Sequence, residues 1–491
     1  MRPKMALRSG VAGLILLSGV ARGQHSNPPP MNPPSPSPPA QPAPAQQPAA
    51  QTGQTPAMQP APAQDPNFKV EWPKVTEGPY VEKTQPKEWS LQVILDLASG
   101  GTIDPAVPSQ NSLPFIFDSV TIVWPIVGLT GNSIPETNST MSWLRFEGHD
   151  MISGPFAKET TPDDPHPVLI RRMATGELYP SDVMLGKWTY EKPGTRTRAI
   201  QLQVNIRSTS YRTVFDDANA SKVGWPSGPW PEEAAACFQP QMFIDCGIDP
   251  VTFEMKMYDM RPIRQAVAAW TRSNPRALTP VKLAKYLMFK VVHEALIPGK
   301  ADTSWGTPRA AFLGLNLLGA PLALQTRQVG VTDMGTVLVA VMREAGLPAR
   351  LVWGYQGYNA SEDGNRVIDW MPYQRLRCWV ELCLYDEGKK TFNWVPMDYD
   401  RFRYTATAMM DLNMPWPYFG SISYAHDMIP VALQAFPPTT VMGYGYPAFW
   451  GWVMQPGVPT NLSQAVTISA SRAQTSPATT KPNDSKLPPN K

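Results

Sequence analysis

Charge is scarce in this chain. Only 17 % of its 491 residues are charged, and the two signs nearly cancel to a formal +3. An electrostatic nucleic-acid binder needs a basic face or run, and no Lys/Arg cluster of that kind occurs. Apolar runs are short as well. After the first few dozen residues none approaches the roughly 20 needed to span a bilayer, so no transmembrane helix is expected in the mature chain. Histidine is limited to 5 residues and cysteine to 4. No His/Cys/Asp spacing suggests a metal site and no glycine loop suggests a nucleotide site, so neither metal nor cofactor is expected. Proline, by contrast, is abundant: 56 residues, against an ordinary usage of about 5 %. With 16 Trp and 16 Tyr the chain can build large cores or aromatic surfaces.

The N-terminus reads as a signal peptide over residues 1–23. Arg2, Lys4 and Arg8 precede a short apolar run, Val11–Val20, and Ala21-Arg22-Gly23 offers small residues before Gln24. The alternative is an uncleaved anchor, for which the run is short. No cysteine sits at the cleavage position, against a lipid-anchored form. An exported chain is therefore expected: periplasmic, cell-envelope or extracellular. Residues 24–70, rich in Pro, Ala and Gln, read as a disordered linker, and residues 466–491 as a disordered tail. In an exported chain cysteines invite disulfides. Cys237 and Cys246 flank a short Pro-containing loop and are expected to bridge. Cys378 and Cys383 lie on one predicted strand roughly 16 Å apart, too far to bond and on opposite faces.

Residues 71–250 show short runs of strand type between Pro and Gly turns. In Ala199–Arg207 the residues Ile200, Leu202, Val204 and Ile206 share one face. This predicts an antiparallel β-sandwich-like domain. The period then changes over residues 251–465. Pro262–Thr271, Pro280–Leu296 and Asp333–Ala345 have helical spacing, with Thr332 or Asp333 as N-cap and Gly346 as stop. Strands are predicted at Ala349–Tyr355, Arg375–Tyr385 and Thr391–Pro396, giving an α+β core with a C-terminal extension.

Three blocks in that core carry a resemblance. They are Val331-Thr332-Asp333 with Arg343-Glu-Ala-Gly-Leu-Pro-Ala-Arg350 and Gly354-Tyr355; then Arg377-Cys378-Trp379-Val380-Glu381; then Trp394-Val-Pro-Met-Asp398. In this order and spacing they resemble the transglutaminase-like superfamily, a papain-like fold. The resemblance implies a nucleophilic Cys at a helix N-terminus, where the dipole favours thiolate, a His on a strand and an Asp on the next. Here the Cys position holds Val331 and the His position Arg377; of the triad only Asp398 remains. Valine forms no thiolate, and arginine stays protonated and cannot act as a base. Asp333, Arg350, Trp379 and Glu381 match positions that line the cleft or tie the helix to the sheet.

The expectation is an exported, non-catalytic transglutaminase-like protein that binds protein or a cell-envelope polymer through its cleft or β-domain. One alternative is a thiol-dependent hydrolase or acyltransferase with a relocated nucleophile, drawn from Cys378, Cys383 or Thr332. Another is a carbohydrate-binding module using the aromatic run Gly443–Trp452.

Overall fold

The computed structural model describes most of residues 77–473. Residues 1–76 and 474–491 lie outside the description, as do internal segments, chiefly 100–113, 158–166, 171–183, 249–254, 299–302, 306–311, 358–375 and 434–449. The expected signal peptide, the expected linker and most of the expected tail lie outside the described residues. The principal strands and helices are numbered below in chain order.

Strand β1 (Val81–Ser99) pairs antiparallel with β5 (Ala199–Phe215) along almost its whole length. Opposite one another stand Leu91 and Ile206, Val93 and Val204, Leu95 and Leu202, and Leu97 and Ile200. All eight are buried. A period-two apolar face of this length leaves only one register that keeps it out of water. Strand β3 (Met141–Phe146) extends this sheet on the far side of β5. A second antiparallel sheet is built on β2 (Phe115–Ile126) and β4 (Met184–Thr197). Strand β2 carries a bulge between Phe117 and Ser119. Across the interior, Phe117 meets Phe146 at 5.5 Å between centroids, and Trp188 Nε1 donates to Ser142 Oγ at 2.9 Å. The first half of the chain is thus an antiparallel β-sandwich.

The α+β part carries α1 (Arg261–Thr271), α2 (Pro280–Phe289), which continues as a π-helical turn to Ala295, and α3 (Val331–Glu344). Its sheet has the order β8 (Thr391–Met397), β7 (Leu376–Asp386), β6 (Ala349–Gln356), β9 (Met428–Leu433), all antiparallel. The cap of α3 is Gly330 rather than Thr332 or Asp333. Asp333 instead accepts from the Leu318 amide at 3.0 Å, so a neighbouring loop captured the carboxylate that local sequence offered as a cap. Gly346 ends the helix region at φ +87, a left-handed conformation that glycine adopts at little cost. Gly335 lies where α3 crosses β6: a Cβ there would meet Tyr399 Oη at 2.4 Å and Leu351 Cδ1 at 2.7 Å.

The chain then returns to the sandwich. Strand β10 (Gly451–Gln455) pairs with β2, and β11 (Leu462–Arg472) pairs with β1 over eleven positions. The C-terminal strands read as an extension of the core therefore complete the N-terminal sheets, and β11 runs beyond residue 466. The aromatic run enters this core: Trp450 and Trp452 are buried, Trp450 stacks on Trp124 at 5.6 Å, and Trp452 Nε1 donates to Gln464 at 2.8 Å. These two indoles cannot serve as a sugar platform. Residues 443–449 lie outside the described residues.

The expected Cys237–Cys246 disulfide is absent; all four cysteines are buried thiols. Cys246 opens a two-stranded ribbon opposite Met257, beside Asp245 and Arg343. Cys237 packs instead into a cluster with Cys383, Phe392 and Trp394. The loop between them turns each thiol into a different layer.

Candidate functional site

Alternation along β7 sorts the motif residues onto two faces. Cys378, Val380, Leu382 and Leu384 join the main core with α3. Arg377, Trp379, Glu381 and Cys383 take the other face, which meets the sandwich. On that side Trp379 and Val352 pack against Val123, Val127 and Leu185 of the sandwich sheet. Arg350 on β6 stands opposite Glu381 and donates to its Oε2 from Nε at 3.0 Å and Nη2 at 2.7 Å. Both are buried, at 1 % and 0 % exposure. The guanidinium also donates to Leu129 O at 2.8 Å and lies 3.5 Å above the Trp394 ring. Glu381 Oε1 accepts from the Gly131 amide at 2.9 Å and from Trp379 Nε1 at 3.2 Å. Gly131 permits this approach, since a Cβ would meet Trp394 O at 2.4 Å. Arg350, Trp379 and Glu381 thus clamp the sheet to the sandwich loop 129–131. That use spans the two halves of the chain and could not be read from strand spacing.

Arg377 and Asp398 come together on the same face. Arg377 Nη2 lies 3.6 Å from Asp398 Oδ2 and 3.6 Å from Asp400 Oδ2. Asp398 is buried and caps α4 (Tyr399–Phe402), accepting from the Arg401 amide at 3.0 Å. It also accepts from Tyr424 Oη, and the Arg401 guanidinium stacks on the Tyr424 ring at 3.7 Å. Burial alone would lower the pKa of Arg377, but the charges of Asp398 and Asp400 outweigh it and raise the value. Burial first, then the charge and hydrogen bond of Asp398, push Tyr424 well above the ordinary tyrosine range. Neither group can take up a proton near neutral pH.

Val331, at the first position of α3, lies in the other layer. The side chains reaching the start of this helix are Cys378 and Tyr399. Tyr399 Oη donates to Val331 O at 3.0 Å, while Cys378 Sγ lies 2.8 Å from Tyr399 Oη and 3.6 Å from Thr332 Oγ1. The three positions that the resemblance matches to a triad are therefore split across the sheet, with Asp398 paired to Arg377 on one side and the start of α3 closed by Tyr399 on the other. Cys378 sits by the helix that carries the nucleophile position, which the sequence reading missed. Strand spacing offered Cys378 as a candidate thiol but does not say that the start of α3 lies in the layer it faces. Cys378 is 6 % exposed. Cys383 is fully buried, and burial, then the nearby Cys237, push its pKa well up. Burial likewise takes Cys246 up to about 12.

Among the described residues no three His, Cys, Asp or Glu side chains are placed to hold a metal ion, and no helix is long and apolar enough to cross a membrane. A surface hollow of about 410 Å³ lies between Tyr80, Lys222, Trp225 and the Asp386–Lys389 turn. That turn is at the opposite end of β7 from Arg377, some 30 Å along the strand at about 3.3 Å per residue.

Comparison with known proteins agrees with this architecture. Residues 318–399, from the loop before α3 to the start of α4, match the transglutaminase-like superfamily. No curated protein matches the chain. Among solved structures, a "putative cysteine protease" from Cytophaga hutchinsonii is similar at 9 % identity and TM-score 0.40, covering 80 % of this chain and 93 % of that one. A "putative protease" from Parabacteroides distasonis is similar at 9 % identity and TM-score 0.19, covering 65 % of this chain and 58 % of that one. Both likenesses are too low to carry chemistry across. The sequence match and the helix-and-sheet geometry meet in one segment: residues 318–399 of this chain form a domain that matches the transglutaminase-like superfamily.

Proposed function

We propose that this is an exported, non-catalytic transglutaminase-like protein that binds a protein or envelope polymer. The observation that carries the reading is the pairing at the triad positions: Val331 starts α3, and Arg377 lies between Asp398 and Asp400 at 3.6 Å from each. An acyl-transfer site needs a nucleophile and a base within hydrogen-bond reach; here these positions offer a hydrocarbon and a permanent cation. Export rests on the Arg2-Lys4-Arg8 and Val11–Val20 segment.

A second reading keeps thiol chemistry through Cys378, because its sulfur lies by the N-terminus of α3, where a thiolate would gain from the helix dipole. Its burial beneath Tyr399 speaks against attack on a polymer. Brief iodoacetamide treatment of the native mature chain near pH 6, followed by peptide mapping, separates the two. Cys378 is expected to stay unmodified. Rapid labelling of Cys378 would end the non-catalytic reading and start a search for substrates.

A further inference from the structure

The ion pairs that Arg377 and Arg401 make around Asp398 do not close as hydrogen bonds. Arg401 Nε lies 4.0 Å from Asp398 Oδ2, Arg377 Nη2 3.6 Å from Asp398 and from Asp400, and Arg403 Nη2 2.9 Å from Asp400 Oδ1. The result is a ladder, Arg401–Asp398–Arg377–Asp400–Arg403. Arg–carboxylate forks close at about 2.7–2.9 Å with two parallel hydrogen bonds, so the contacts at 3.6–4.0 Å are charge proximity alone. Among the described residues, none accepts a hydrogen bond from the guanidinium of Arg377 or Arg401. Nε and Nη1 of Arg403 are buried without a partner, although that side chain is only 9 % exposed. A buried guanidinium nitrogen left unpaired is costly; Arg403 also donates from Nη2 to Tyr404 Oη, and the partly exposed Arg377 and Arg401 keep guanidinium donors for an outside acceptor.

We infer that this ladder is a binding site for a carboxylate-bearing ligand of the acidic-peptide class. Three arginines against two carboxylates leave one net positive charge, which suits a monoanion better than a phosphate dianion. The planar fork of arginine matches carboxylate geometry. Arg377 and Arg401 are 23 % and 36 % exposed, so a ligand can reach both. Two tyrosines flank the ladder: Tyr424 beneath Arg401, and Tyr404, 74 % exposed, beneath Arg403 at 4.5 Å. They offer apolar faces to the stem of an acidic side chain. The inference rests on the non-catalytic binding reading and deepens it: the position of the family's base would have become an anion clamp.

Titration calorimetry at low salt on the full mature chain tests it, with acetyl-triglutamate amide as probe and acetyl-triglutamine amide and inorganic phosphate as comparators. The glutamate peptide is expected to bind, to weaken as salt screens the charges, and to exceed both comparators. Arg401→Met, the more exposed change, and Arg377→Met are each expected to raise the dissociation constant about tenfold or more, as loss of a charge-assisted hydrogen bond does. Arg401→Met decides the matter if Arg377→Met fails to fold. Several outcomes would overturn the assignment: no binding of the glutamate peptide, equal binding of the glutamine peptide, tighter binding of phosphate, or full affinity in a natively folded Arg401→Met chain. Thiol labelling of Cys378 would instead defeat the parent reading, whatever the calorimetry shows.

Discussion

Asp96 shows how much one buried carboxyl can govern. It lies on β1 opposite Gln201, is 5 % exposed, and takes one hydrogen bond from Gln201 Nε2 at 2.8 Å while its Oδ2 has no partner. Burial raises its pKa to about 6, opposed by the Gln201 bond. An unfolded aspartate titrates near about 3.9, so the folded chain holds this proton more tightly. The contribution is then fully favourable below about pH 4 and is lost as pH rises toward 6. A gap of about two units corresponds to roughly 3 kcal/mol at most. Asp96→Asn should therefore be more stable than the natural chain at pH 7 and about equal at pH 4, measured by urea unfolding at both. The clamp makes a second prediction. Glu381→Gln leaves Arg350 buried without its charge partner, and breaking such a pair costs about 3–5 kcal/mol. The midpoint of denaturant unfolding reports it, and a loss under about 1 kcal/mol would show the pair to be dispensable.

At the scale of elements, α3 and β6 approach each other closely at Gly335. Gly335→Ala sets a methyl into Tyr399 Oη and Leu351, and overpacking of this sort costs about 1–3 kcal/mol. Because Tyr399 also holds Cys378 and Val331 O, the same substitution should raise Cys378 reactivity toward iodoacetamide; an unchanged labelling rate would separate Tyr399 from the protection of that thiol. Most elements were legible in advance for a local reason. The alternation in β5 and the Pro-initiated α1 and α2 are written in neighbouring residues. The α3 cap was misassigned because Asp333 is satisfied by Leu318, fifteen positions back. The disulfide was misassigned because closeness in sequence, as for Cys237 and Cys246, says nothing about which layer each thiol enters.

For the whole molecule, the return of β10 and β11 brings residues 451–472 onto the sheets built by β1 and β2. Strand β11 lies between β1 and the Phe312–Leu315 strand, and β10 edges the second sheet. A chain ending at residue 433 would lose both and expose the long apolar edge of β1. It is expected to be insoluble or to lack a cooperative thermal transition by circular dichroism, whereas the full chain should melt as one unit because the 350–381 clamp and β11 both cross between its halves. Two separated transitions in the full chain would refute that coupling.

Residue order alone determined the class of fold and the likeness of residues 318–399 to the transglutaminase-like superfamily, because each is a matter of local period or of residue type at a fixed spacing. Tertiary structure decided where those positions went. A strand sends successive side chains to opposite faces, so Arg377 and Cys378, adjacent in sequence, serve different layers. Which layer holds the helix start and which holds Asp398, Asp400 and the sandwich loop depends on contacts tens to hundreds of residues apart. No local pattern encodes those contacts, and they alone set Arg377 among Asp398 and Asp400 on one side and the Cys378 thiol under Tyr399 on the other.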